Sequence, residues 1–481
     1  MPIYSSSFFT EMIEPAWRVL VLEMTLYTQK VVFNQAIDYN ENELEKIKEE
    51  GYDYTRGYES EDEEESYGIE GFVIELIDFA VDLLKRRGMM EALQDHMLTL
   101  FLCLKGYCLM PHQTMILWKN DANLFITEEY DDENVNSIRN KSISLIKEVT
   151  KEIDDNIVLK FISIILSEFS NGINPEDYLE VIKLDDYNYL FPYFEKMNSD
   201  PVYIHRRHEA NLLIIGNLSD DIMIMKDKNK ISNDEINSLM DFLFKIINGE
   251  KGKLLNIFIY SIQLFILFKI GSSSLLIGRA LWCVSRLFSV YKDSNEIMAK
   301  IFEGIAECFI KSVKDLTISL IATQCMTIIS DKLPKECKLK NGLLETILIK
   351  QIELLEFTNE DTIALPIDCI ISISKLDKEA ALIVPSKASK TIINIYSENY
   401  NHPVLGVKLL QLIRIWCEDS RCSKLMVHLF VPFSIYVFDD FFKSLKNPGN
   451  KGFEDIKKTV MTEHAGGDMD FKTSLDMLPV S

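Results

Sequence analysis

Apolar residues recur along this chain at the spacing of helices. The densest case is the stretch SLLIGRALWCVSRLFSV from Ser274 to Val290. Leu276, Ala280, Cys283, Leu287 and Val290 form one row there, and Ile277, Leu281, Val284, Phe288 and Tyr291 a second. Most of its circumference is therefore apolar. Arg279, Ser285, Arg286 and Ser289 supply the polar stripe, which predicts a helix wedged between two neighbours with one narrow edge exposed.

The same periodicity predicts helices over Trp17 to Ile37, Ile69 to Leu84, and Met89 to Met110, where Pro111 ends the pattern. A segment carrying Trp118 follows over Met115 to Asn123, then amphipathic segments over Ser137 to Val149, Val158 to Phe169 and Arg206 to Met225. From Asn233 onward the pattern is regular: Asn233 to Ile247, Leu254 to Ile270, Ser274 to Val290, Glu296 to Lys311, Leu316 to Leu333, Leu343 to Phe357, Thr362 to Leu376, Lys387 to Ser397 and Val404 to Trp416. Taken in pairs, the second helices begin near Leu276, Leu316, Thr362 and Val404. That spacing of roughly 40 to 46 residues is the period of a HEAT-type repeat. The expected fold is an all-α HEAT-repeat solenoid, a superhelical array of antiparallel helix pairs, over residues 1–445. Residues 446–481, rich in turn formers such as Asn447, Pro448, Gly449, Gly466 and Gly467, are expected to be a poorly ordered tail.

Two acidic runs interrupt the helices. Residues 39–67 contain ESEDEEE, that is Glu59, Glu61, Asp62, Glu63, Glu64 and Glu65, and residues 128–134 contain Glu128, Glu129, Asp131, Asp132 and Glu133. Both read as solvated loops, because hydrated carboxylates in a run bury no apolar surface. The whole chain has a formal net charge of −23. That charge disfavours nucleic acid and anionic membrane as partners and favours basic proteins, toward which acidic loops rooted in a helical array are well placed to steer.

The nine cysteines show no CxxC spacing and mostly fall inside apolar helical patterns, as buried thiols do in a reducing, cytosolic or nuclear, compartment. Cys103 with Cys108, and Cys417 with Cys422, are read as core thiols. Met1 to Thr10 lacks a secretory n- and h-region, and the longest apolar run, Leu254 to Phe268, is shorter than the roughly 20 residues a bilayer needs. No P-loop or dinucleotide glycine motif is present. His205, His208 and Glu209 in HRRHE lack zincin spacing and read as a solvated or interfacial patch. With no nucleophile, base, metal or cofactor constellation, the expected class is not an enzyme.

Gly278-Arg279-Ala280-Leu281-Trp282, with Ser285 and Arg286 following, resembles the inner-helix signature of the karyopherin-β nuclear transport receptors. Glu209-Ala210-Asn211-Leu212-Leu213 leading to Gly216-Asn217-Leu218-Ser219 resembles the helix that precedes it in that family, in the same order and at a matching separation. The likeness is collinear and covers most of Trp17 to Phe442 at low identity. It includes Gly71-Phe72, Trp118 through Phe125 to Arg139, and Tyr400-Asn401-His402-Pro403-Val404. The resemblance implies a nuclear import receptor that binds basic cargo such as histones or ribosomal proteins, engages the phenylalanine-glycine repeats of the nuclear pore, answers to the GTPase Ran, and moves between cytoplasm and nucleus. A full receptor of that kind is about twice as long. The resemblance implies that this chain corresponds to its middle, without the N-terminal repeats that carry the main Ran surface, so weakened or lost Ran binding is expected. The two acidic runs are the expected cargo contacts, joined by Arg279, Trp282 and Arg286 on a concave edge. The ordinary role of such arginines is to pair with adjacent repeats. A HEAT-repeat scaffold that does not shuttle, or a chaperone of histones and other basic proteins, is the alternative.

Overall fold

The computed structural model of the chain describes residues 14–33, 69–130, 137–171, 198, 201–248, 274–395 and 403–418, apart from a few positions within those ranges. All regular structure among the described residues is helical, with no strand. In chain order the main helices are α1 (Glu14–Tyr27, continued by a π-helical turn over Thr28–Val32), α2 (Ile69–Leu84), α3 (Met97–Tyr107), α4 (His112–Asn120), α5 (Ala122–Tyr130), α6 (Ile138–Thr150), α7 (Asp155–Asn171) and α8 (Pro201–Asn217). They continue with α9 (Ser219–Asp227), α10 (Asn233–Asn248), α11 (Ser274–Leu287), α12 (Asn295–Lys311), α13 (Leu316–Ser330), α14 (Leu343–Leu354), α15 (Ala364–Leu376) and α16 (Pro403–Cys417). No helix among the described residues is long and apolar enough to cross a membrane.

The helix starts obey local chemistry. Ser137, Ser294 and Asp315 each accept a hydrogen bond from the backbone N–H three residues on, opening α6, α12 and α13. Gly342 opens α14 at φ 74°, a conformation costly for residues with a Cβ. The second helices of the expected pairs begin at Ser274, Leu316, Ala364 and Pro403, that is 42, 48 and 39 residues apart.

The chain divides into two compact units, Met1–Leu339 and Lys340–Ser481. In the first, α11 is flanked by α8 and α13 and backed by α10, while α12 packs on α10 and α13. The wedge expected for the GRALW helix is present: Leu276, Ala280, Leu281, Cys283, Val284, Leu287 and Phe288 are buried. Each such large side chain contributes about 1.5–3 kcal/mol by leaving water. Around α3, the helices α1, α6 and α7 pack together, and α2 lies against α1 and α6. In the second unit, α15 packs between α14 and α16 and buries Ile367, Cys369, Ile370 and Ile373.

Four boundaries differ from the expected pattern; one is Met115 to Asn123, which Asp121, in extended geometry (φ −141°, ψ 90°), divides between α4 and α5. Arg206 to Met225 is two helices, because Leu218 leaves helical geometry (φ −88°, ψ 11°) and Asn217 Nδ2 takes up the Leu213 carbonyl at 3.0 Å. Met89 to Met110 is broken into a single turn at Met89–Ala92, a 3-10 turn at Gln94–His96, and α3. The second acidic run does not begin as a loop: α5 continues to Tyr130, so Glu128 and Glu129 are helical. Residues 39–67, 131–134, Leu254 to Ile270, Cys422 and the tail 446–481 lie outside the described residues.

Candidate functional site

The candidate site is assembled around α8, and its chemistry begins with an anomaly. Of the HRRHE stretch, read as a solvated or interfacial patch, only His205 is partly exposed; Arg206, Arg207, His208 and Glu209 are buried, as is Asn211 beyond it. Buried polar groups must find partners on neighbouring elements. Asn211 Nδ2 donates to Glu168 Oε2 of α7 at 3.0 Å, and Lys105 of α3 donates to both oxygens of the same carboxylate at 2.9 and 2.7 Å. Arg206 donates to the Met110 carbonyl at 3.0 Å and lies over the Phe33 ring, while Arg207 donates to Asn198 Oδ1 at 2.7 Å.

Burial and charge set the protonation of this region. Burial pushes the Glu168 carboxyl up, but the Lys105 and Arg207 charges and the donated hydrogen bonds outweigh it and hold the group below its ordinary value. Burial lowers Arg206 to about 10, which leaves it charged at neutral pH. Burial, with the Arg207 charge added, holds His208 well below its ordinary value, so the ring is neutral.

One turn further around α8 sits a second cluster, made by residues from four helices. Glu209 accepts from Arg139 Nη2 of α6, and from Arg279 Nε of α11 at 2.7 Å. Arg279 Nη2 donates to Glu129 of α5, and Arg139 Nη2 stands 3.8 Å from the same carboxylate oxygen. The side chains are 0% (Glu209), 4% (Arg279), 6% (Arg139) and 13% (Glu129) exposed. Burial raises the Glu129 carboxyl, yet the two guanidiniums and the hydrogen bond from Arg279 outweigh it, and the net shift is downward. The cluster balances two cations against two anions. Such a buried set discriminates strongly against the loss of any one member.

Trp282 completes the arrangement. The guanidiniums of Arg279 and Arg286 lie 5.1 and 5.4 Å from its ring, and its Cζ3 sits where a Cβ on Gly216 of α8 would be only 2.2 Å away. Nearer the start of α11, Trp118 of α4 donates its indole N–H to Ser274 Oγ at 3.1 Å, and its carbonyl accepts from Thr317 of α13 at 3.1 Å. The α4–α5 hairpin is thereby strapped over α11 and α13.

These positions revise the expected edge. Arg279 and Ser285 are buried rather than exposed, because Glu129 arrives from α5 to neutralise the arginine and Ser285 Oγ turns back to the Trp282 carbonyl at 2.7 Å. Trp282 is packed, and of the three edge candidates Arg286 alone is exposed. Glu128 is exposed on α5, whereas Glu129 belongs to the buried cluster. Glu59, Glu61, Asp62, Glu63, Glu64, Glu65, Asp131, Asp132 and Glu133 lie outside the described residues. Cys103 and Cys108 are buried as expected, but Cys417 is exposed at the end of α16.

Sequence reading passed over Arg139, Lys105 and Glu168, although a signal existed. Each occupies a core register: Arg139 with Ile143 and Ile146, Lys105 with Leu98 and Phe101, Glu168 with Phe161 and Ile165. A charge at the apolar position of an amphipathic helix announces a buried partner. No protein-family model matches the chain, and no curated protein matches it.

Proposed function

We propose that the chain is a non-catalytic import receptor of the karyopherin-β type, which binds basic protein cargo such as histones or ribosomal proteins for Ran-regulated passage through the nuclear pore. The observation that carries the reading is the pairing of α8 with α11. The two stretches that resemble the family's consecutive signature helices lie side by side, with Gly216 against Trp282. The net charge of −23 supports a basic cargo independently. Within the family the collinear stretches most resemble importin-9, associated with core histone dimers, ribosomal proteins and actin.

Cargo contact is assigned to the acidic runs, Glu59 to Glu65 and Glu128 with Asp131, Asp132 and Glu133, and to exposed Arg286. Glu129 is excluded from that surface because Arg139 and Arg279 hold it. One observation favours the alternative of a scaffold that does not shuttle: the hairpin α4–α5 already covers the α11 edge on which cargo would rest.

Titration of the purified chain with a core histone dimer at physiological salt, repeated with GTP-loaded Ran, decides between them. Binding that weakens with salt is expected; an effect of Ran would mean that Ran coupling survives in this chain, and indifference to Ran would leave a cargo-holding segment of a receptor. Absence of histone binding would remove the receptor reading and leave the scaffold. Reversing the charge of the two runs, with Glu129 kept, should weaken binding and flatten its salt dependence.

A further inference from the structure

Asparagine followed by glycine occurs three times in the chain, at Asn171, Asn248 and Asn341. Gly172 and Gly249 lie outside the described residues, whereas Asn341 and Gly342 are described and both are exposed. They form the middle of a turn. The Leu343 N–H donates to the Lys340 carbonyl at 3.1 Å, and Gly342, third of the four residues, has φ 74° and ψ 0°, as in a type II turn. The Gly342 carbonyl accepts from the N–H and the hydroxyl of Thr346 at 3.0 and 2.8 Å, which opens α14.

The Gly342 nitrogen stands open. Among the described residues its N–H meets no acceptor, and no atom lies within 4 Å of where a Cβ would be. The Asn341 carboxamide has no hydrogen bond among the described residues either. Two other asparagines show the contrast. Asn217 Nδ2 donates to the Leu213 carbonyl and Leu218 follows it, while Asn359 Oδ1 accepts from the N–H groups of Asp361 and Thr362 and Glu360 follows it.

We propose that Asn341 is a modification site, where the folded chain loses the side-chain amide to attack by the Gly342 backbone nitrogen and gains aspartate or isoaspartate. The nitrogen gives its proton to solvent and bonds to Asn341 Cγ; the Cγ–Nδ2 bond breaks, and ammonia leaves with a proton from solvent. Water then opens the cyclic imide. Cleavage at Cγ yields aspartate, and cleavage at the backbone carbonyl yields isoaspartate, with the chain routed through the side chain; one water enters, one ammonia leaves, and no oxidant takes part. Glycine matters because any Cβ on the attacking residue would crowd its nitrogen. Ring closure needs the turn to open, and a single hydrogen bond closes it at an exposed site, where local opening takes little free energy. The two products act oppositely. Aspartate places a carboxylate beside the first turn of α14, where the unsatisfied N–H groups favour negative charge. Isoaspartate lengthens the backbone by one carbon and breaks the bond from Leu343 to Lys340. The proposal does not depend on the import reading.

The full chain is held in warm, mildly alkaline buffer, with circular dichroism showing that it stays folded, and is sampled over time and digested under acidic conditions that stop the reaction. Mass mapping of the peptides containing position 341 should show amide converted to acid, increasingly with time, while Asn217 and Asn359 keep their amides. A protein isoaspartyl methyltransferase supplied with S-adenosylmethionine should methylate these peptides from aged chain and not from fresh chain. Asn341→Gln should abolish both signals at this position. Once the two products are separated, the Leu343 amide should exchange with deuterium faster in the isoaspartyl form; equal exchange would overturn the opposed effects on the turn. An amide at position 341 that persists in the folded chain for as long as a urea-unfolded chain takes to lose it overturns the proposal. So does loss at Asn217 or Asn359 that keeps pace with it.

Discussion

Trp118 rests on Gly278. A Cβ at Gly278 would stand 2.4 Å from Trp118 Cη2 and 2.8 Å from Ile321 Cδ1, so glycine is what lets the α4–α5 hairpin and α13 close on α11 together. Gly278→Ala should cost about 1–3 kcal/mol in urea unfolding, as overpacking does in a filled interior. Replacing Trp118 by Leu in the same chain should recover part of that loss. An unchanged unfolding midpoint for Gly278→Ala would show that the hairpin does not bear on α11.

Glu209 joins Arg139 and Arg279, and its side chain is fully buried. Glu209→Gln leaves two guanidiniums in the interior facing one carboxylate, and a loss of about 3–5 kcal/mol is expected. Glu129→Gln should cost less, because Glu129 keeps some access to water. Equilibrium denaturation of the two variants, compared with wild type, checks the ranking. Equal losses would mean that α5 is held as tightly as α8.

His208 is kept neutral by burial and by Arg207. A base whose folded pKa lies below its unfolded value binds fewer protons in the native state. Stability contributed by its neutral form is therefore complete above about 6.5 and falls as pH drops from there toward the folded pKa. Glu168 and Glu129 behave in the ordinary carboxylate sense: their folded values are depressed, so their contribution is present above about 4.3 and lost as pH falls through the lower folded values. His208→Gln should shrink the mildly acidic part of the pH–stability curve, what remains belonging to His205, whose ring burial also holds below its ordinary value, and leave the more acidic part in place. Denaturant midpoints taken at intervals through this range test it; a wild-type curve flat down to the carboxylate range would contradict it.

Burial pushes the thiols of Cys103, Cys108, Cys283 and Cys325 up to about 12, while Cys417 is exposed and Cys337 only partly covered. Iodoacetamide followed by peptide mass mapping should label Cys417 before Cys337 in the native chain. The four buried thiols should react only after unfolding. Labelling of Cys283 under native conditions would mean that α11 opens readily.

Periodicity alone determined the helices, because a 3.6-residue repeat of apolar positions is a local property of the chain and needs no knowledge of neighbours. It located α2 at Ile69–Leu84 to the residue, and it identified α11 as a helix enclosed by others from its two apolar rows. The break at Leu218 escaped it, since apolar residues continue in phase through the turn. Charge deceived it in the opposite direction. Arg279, Arg206 and Glu209 look like surface residues in a linear reading, because sequence shows their cost of burial but not the partner that offsets it. Those partners lie far along the chain: Glu129 stands 150 residues before Arg279, and Glu209 stands 70 residues before it. Tertiary structure alone could decide that Arg279 and Ser285 of the polar stripe are covered, that the first residues of the second acidic run are helical, and that Glu129 is spent on an internal cluster. Helix formation is set by contacts within a few residues, whereas the fate of a charge is set by whichever opposite charge the fold brings within about 4 Å of it.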